Sequence, residues 1–168
     1  MTQTRHRIVI IGAGSAGICT AANLNKAGIT DYQILEKGEG TGGTWYWNRY
    51  PGAECDVQSH LYSFAFEPKT DWSQPFAGQA EILEYLNHIV DKYEIRAHIR
   101  YNTTVDALKW QEDGSYWTIT TANGDIIEAQ IVISAIGMFN NTVWPSIPGI
   151  KDFKGTSWHS ARWNKSHD

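Results

Sequence analysis

The sequence predicts an α/β fold: a parallel sheet that carries an antiparallel insertion. Three observations carry the prediction. Two β-branched apolar runs stop on glycine, Arg7–Ile11 before Gly12 and Ile131–Ile136 before Gly137, the pattern of parallel strands buried on both faces. A helical stretch, Ser15–Ala27, joins the first run to a second strand at Tyr32–Glu36, which makes a β-α-β unit with a right-handed crossover. Two turn signals, Glu112-Asp113-Gly114 and Asn123-Gly124, punctuate strand-like runs and read as hairpins.

In chain order, Gly28 stands just past the first helix and stops it. Lys37 to about Gln79 is irregular, rich in Gly, Trp, Tyr, Pro and Asn, with Trp45-Tyr46-Trp47 inside it. So long a loop in a compact domain serves a site or a lid. Ala80–Ile95 is helical, with Ile82, Leu83, Leu86, Ile89, Val90 and Tyr93 recurring near a 3.6-residue period. A strand is expected over Ile99–Leu108, then a hairpin-rich stretch over Lys109–Thr121 and Asp125–Ser134. Val143–Asp168 shows no regular period and carries Trp158, His159 and Trp163.

Composition bounds the function. The 168 residues are 42% hydrophobic, enough to bury one core. Lys and Arg number 14 against 18 Asp and Glu, a formal charge of −4, so there is no basic footprint for nucleic acid or an anionic membrane. Apolar runs fall short of the roughly 18–20 residues that span a bilayer. The opening MTQTRHRIVIIGAG has no secretory h-region, and the expected location is cytoplasmic. Cys19 and Cys55 are too few for a disulfide framework, and the histidines lack metal-ligand spacing, so no metal is expected.

Gly12-Ala13-Gly14-Ser15-Ala16-Gly17 is G-x-G-x-x-G between a strand and a helix. Its glycines serve a tight turn, close approach of a pyrophosphate, and helix–strand packing. The phosphates then meet free amides at the positive end of the helix dipole. Glu36 ends the second strand 19 residues after Gly17, placed to accept from ribose hydroxyls. The reading is a dinucleotide site, and the acid argues against a 2′-phosphate, leaving FAD or NAD.

Gly40-Thr41-Gly42-Gly43-Thr44-Trp45 and the antiparallel excursion Lys109–Glu128 resemble the flavoproteins with two dinucleotide-binding domains. Their FAD domain is Rossmann-like and has an alanine-threonine-glycine turn, matched here by Ser134-Ala135-Ile136-Gly137 with isoleucine for threonine. Gly42 to Asp56 resembles the flavin-contacting stretch of Baeyer–Villiger monooxygenases. Phe153, Gly155, His159 and Trp163 match that family's fingerprint F-x-G-x-x-x-H-x-x-x-W.

The resemblance implies an FAD- and NADPH-dependent enzyme that uses O2 to oxygenate a ketone to an ester or lactone by a peroxyflavin mechanism. It implies that Thr44, Trp45, Tyr46 and Trp47 line the flavin, that Tyr62 meets FAD, and that Val105 touches the adenine end through its backbone. It makes Asp56 catalytic, beside the isoalloxazine and near an arginine outside this sequence. His159 is implied as a hinge between domains rather than a base. Residues 1–140 are then most of an FAD domain, incomplete at its C-terminal end. Residues 141–168 are a fingerprint and linker segment toward an NADPH domain in the remainder of the same enzyme. A stand-alone FAD-binding module without oxygenase activity and an N-hydroxylating monooxygenase are the alternatives.

Overall fold

In the computed structural model, which describes residues 3–139, 141–164, 166 and 167, six strands form a sheet of order β3-β2-β1-β6-β5-β4. β1 (Gln3–Ile11) lies centrally and pairs in parallel with β2 (Tyr32–Leu35) and with β6 (Ile126–Ser134). β3 (Ile99–Arg100) continues the parallel side beyond β2. On the other side, β5 (Tyr116–Thr121) runs antiparallel to β6, and β4 (Val105–Gln111) antiparallel to β5. The α/β sheet with an antiparallel insertion is as expected.

Register fixes where a site can form. Ile11 pairs with Leu35 on one side and with Ser134 on the other, so three parallel strands end at one level. Open α/β sheets bind ligands outside such carboxyl ends.

The alternation of β1 divides the core. Ile8 and Ile10 join a cluster with Ile18, Ala21 and Ala22 of α1 (Ser15–Lys26) and the apolar face of α3 (Gln79–Lys92). Val9 joins Leu35, Ile119, Ile127 and Ala129 in a second cluster. In α3, Ile82, Ile89 and Val90 are fully buried and Leu86 nearly so. Burying each such side chain stabilises the fold by about 1.5–3 kcal/mol.

The sequence reading departs from the structure where the chain changes partner. The strand expected over Ile99–Leu108 is two, broken at Asn102 with φ +52°. Thr103 N–H donates to the Glu36 carbonyl there (2.9 Å), so one strand-like stretch serves both a parallel and an antiparallel pairing. β1 starts at Gln3 rather than Arg7, because Arg5 and His6 pair with Glu128 and Ala129. α3 ends at Lys92 rather than Ile95, and Glu94 turns the chain with φ +54°.

The long loop contains a one-turn helix, α2 (Thr44–Trp47), and a 3-10 turn at Ser59–Leu61. Backbone bonds from Cys55 to Ala77 (3.0 Å), Ser59 to Pro75 (2.8 Å) and Gln79 to Ala53 (2.8 Å) tie it down. Residues 141–164 form two 3-10 turns, Ile150–Asp152 and Ser160–Arg162, within irregular chain. The domain boundary expected at residue 140 lies outside the described residues. Among the described residues, no helix is long and apolar enough to cross a membrane, and no His/Cys/Asp/Glu group could hold a metal ion.

Candidate functional site

The site is built where β1 ends. Gly12 has φ +102°, and a Cβ there would lie 2.6 Å from the Ala135 carbonyl oxygen. Its N–H donates to the Leu35 carbonyl (2.8 Å), while Ala135 N–H donates to the Ile11 carbonyl (2.9 Å). Ile11 and Gly12 together thus tie the ends of β1, β2 and β6. Gly14 caps α1 and, having no side chain, gives the helix's first amides no capping bond. Those first amides have no partner within the helix and suit an anion. Gly17 is buried, and a Cβ on it would overlap the Gly12 carbonyl oxygen, so it sets the helix–strand distance.

A second glycine turn leans on the first. Gly42 N–H donates to the Ala13 carbonyl (2.9 Å), and a Cβ on Gly43 would stand 2.8 Å from the Gly14 Cα. Glu36 is 5% exposed and ties the first turn to the chain that leads into the second. Its Oε2 accepts from Ala13 N–H (2.7 Å) and its Oε1 from Gly38 N–H (2.8 Å). Each carboxylate oxygen accepts more than one bond, so capacity remains for hydroxyl donors.

A cleft of about 300 Å³ opens over these strand ends. The structure brings Gly12, Gly14, Ser15, Ala16, Glu36, Thr44, Trp45, Trp47, Tyr62 and Val105 to its wall. Trp45 donates its indole N–H to the Tyr62 hydroxyl (3.0 Å), and the two rings meet edge to face at 5.8 Å. Burial raises the Tyr62 phenol above its ordinary value, the bond from Trp45 opposes that, and nearby Cys55 and Asp56 add to the rise.

Gly17 packs beneath the turn, in the helix–strand role expected of it, and two expected residues are placed otherwise. Tyr46 covers the glycine loop instead of the cleft: a Cβ on Gly40 would be 2.6 Å from its ring, and the Arg49 guanidinium lies 4.3 Å from its centroid. Asp56 is exposed and outside the cleft wall. The buried neighbours Ala53 and Cys55 anchor that loop, and Asp56 follows them on its outer side.

Sequence reasoning missed Lys37, Asn48, Thr103, Thr104, Met138 and Phe139, which also line the cleft. Lys37 follows β2, Thr103 follows β3 and Met138 follows β6, so the strand-end rule was the signal available for most of them. The Lys37 ammonium lies 5.5 Å from the Trp47 ring centroid. Burial lowers the Lys37 amine below its ordinary value, the Arg162 guanidinium lowers it further, and Glu36 opposes them.

The fingerprint residues are not gathered at one point. His159 Nδ1 accepts from Ala161 N–H (3.1 Å) and caps the Ser160–Arg162 turn, and its ring meets Trp144 edge-on at 6.0 Å. Trp163 packs edge-on against Trp158 at 5.2 Å. Phe153 is 64% exposed, with Gly155 beside its ring.

Residues 9–168 match the family described as pyridine nucleotide-disulphide oxidoreductase. The chain is 41% identical over 162 residues to a Baeyer-Villiger monooxygenase of Streptomyces coelicolor, covering 96% of this chain and 31% of that protein. It is 38% identical over 169 residues to an acetone monooxygenase (methyl acetate-forming) of Gordonia sp., covering 98% and 32%. Among solved structures it resembles the OTEMO complex with FAD and NADP, with a TM-score of 0.86 and 40% identity over 95% of this chain and 31% of that one. The chain spans about a third of the length of these relatives.

Proposed function

The chain belongs to the pyridine nucleotide-disulphide oxidoreductase family, and from that premise we propose that it is the FAD-binding part of a Baeyer–Villiger flavoprotein monooxygenase. The parent enzyme uses NADPH and O2 to place an oxygen beside a ketone carbonyl and release an ester or lactone. The observation that carries the FAD reading is the cradle: two glycine turns in backbone contact, a helix start capped by glycine, and Glu36 bonded to the first turn beside them. A side chain at Gly12 or Gly43 would disrupt that cradle. The ketone reading is supported by the names of the relatives above.

The residues present fit FAD, which when bound supplies the electron transfer and oxygen chemistry. The first amides of α1 take the pyrophosphate, and Glu36 accepts from the ribose hydroxyls. Thr103 and Thr104, which lead into β4, and Val105 at its start meet the adenine end. Trp45, Trp47 and Tyr62 offer flat, partly buried walls at low entropic cost and exclude water. Asp56 faces outward, where it can meet an arginine of the remainder of the enzyme and hold its charge. The same remainder binds most of NADPH and completes the ketone pocket. Residues 141–168 lead toward it as the fingerprint and linker segment. No nucleic-acid partner follows from a chain of net charge −4, and the proposed location is the cytoplasm.

The test is the parent enzyme, assayed for a yellow chromophore, NADPH oxidation and ester formation from a ketone. All three together support the proposal. Tight FAD binding without NADPH oxidation would identify a binding module, and hydroxylated amine products an N-hydroxylating enzyme.

A further inference from the structure

We propose that Arg162 is a positioning residue that seats the fingerprint segment on Trp47, so that filling the cleft and docking the segment reinforce each other. The proposal rests on the FAD reading above. Arg162 is not one of the four fixed fingerprint positions. Its guanidinium carbon nevertheless lies 4.2 Å from the Trp47 ring centroid. Trp47 lines the cleft and Arg162 does not, so Arg162 acts on the cleft through that ring.

The fingerprint builds the placement. Ala161 N–H donates to His159 Nδ1 (3.1 Å), and Arg162 N–H donates to the His159 carbonyl (2.8 Å). A further bond from Arg162 Nη1 to the Ala161 carbonyl (2.7 Å) orients the guanidinium. Ala161 is buried, in a segment where Trp144, Ile147 and Phe153 are more than half exposed. Ala161 is the buried residue of the segment, Trp158 and His159 are half-buried beside it, and the exposed Arg162 reaches Trp47 with its guanidinium.

Electrostatics gives the coupling its direction. Lys37 shares the Trp47 ring with Arg162, and the two cations repel. The pyrophosphate of a dinucleotide in the cleft lessens the cost of holding both. FAD therefore favours the docked segment, and by reciprocity the docked segment favours FAD. A ring held by a guanidinium also presents a fixed wall to the cofactor.

The experiment uses the whole chain, with and without FAD. Hydrogen exchange of the Ala161 and Arg162 amides and FAD titrations are run on the unaltered chain, Arg162→Met and Arg162→Lys. FAD is expected to slow exchange at both amides several-fold in the unaltered chain. Arg162→Met should abolish that protection and weaken FAD binding by about 2- to 30-fold, the range of a cation–π contact. Arg162→Lys should restore part of both, since an ammonium can also sit over the indole. In a Trp47→Leu background, Arg162→Met should have little further effect. Unchanged affinity and protection in Arg162→Met, or additive effects of the two substitutions, would overturn the proposal and leave the FAD reading intact. No FAD binding by the unaltered chain would overturn both.

Discussion

The β-α-β unit at residues 3–36 and the segment at 141–164 hold glycine for opposite reasons. At Gly17, backbone meets backbone: a Cβ would overlap the Gly12 carbonyl oxygen, and neither the turn nor α1 can move without the other. At Gly155, backbone meets an exposed phenyl ring that is free to swing. The first region is specified by close packing and continuous hydrogen bonding. The second is held by a few side-chain contacts, with Arg162 on Trp47 among them. The same residue type is thus structural in one region and permissive in the other.

The largest effect is expected at Gly17. Gly17→Ala should lower stability by about 3 kcal/mol or more, the range reached when overpacking has no soft neighbour. Urea unfolding measures it, and a loss under about 1 kcal/mol would break the contrast.

Glu36→Gln comes next. Its buried carboxylate accepts from Ala13 and Gly38 N–H, and an amide turns one acceptor into a donor facing a donor. Replacing a charge-assisted bond costs about 1.5–3 kcal/mol. FAD affinity, read by titration of the apoprotein, should fall by roughly one to two orders of magnitude.

A smaller effect tests whether the two regions touch in solution. Arg162→Met should let the Lys37 amine rise part of the way to its ordinary value, while burial continues to hold it down. Because the folded pKa is depressed, Lys37 favours the folded state above the ordinary lysine range, and that contribution is lost as pH falls through the folded value. Titration of labelled lysine by NMR reads the shift, and an unmoved Lys37 means the guanidinium is elsewhere. The smallest effect is expected for Gly155→Ala, within about 0.5 kcal/mol of the parent. A loss equal to that of Gly17→Ala would show the tail to be packed as tightly as the core.

What could be read from the residues follows the same division. β1, α1, the glycine turn and Glu36 are legible because strand period, helix stop and turn geometry are local. The apolar face of α3 is legible for the same reason. The change of strand partner at Asn102 is not, since strand-like residues look alike in both pairings. Nor is the contact of Gly43 with Gly14, or of Arg162 with Trp47, because each joins residues far apart in the chain. Asp56 follows Cys55, which is buried and donates its N–H to the Ala77 carbonyl, and is itself exposed, a placement that its position in a motif does not reveal. Motif matching supplies residue types, and tertiary anchoring decides where they point.

The central claim is that the glycine cradle and Glu36 read the adenosine half of FAD. Parallel titrations of the chain with FAD and with FMN, followed by flavin and tryptophan fluorescence, test it most directly, because FMN has the flavin without that half. The account predicts saturable binding of FAD at one equivalent and binding of FMN weaker by at least about a hundredfold, the loss of a few charge-assisted contacts. Equal affinity for the two flavins, or no binding of FAD, would contradict it.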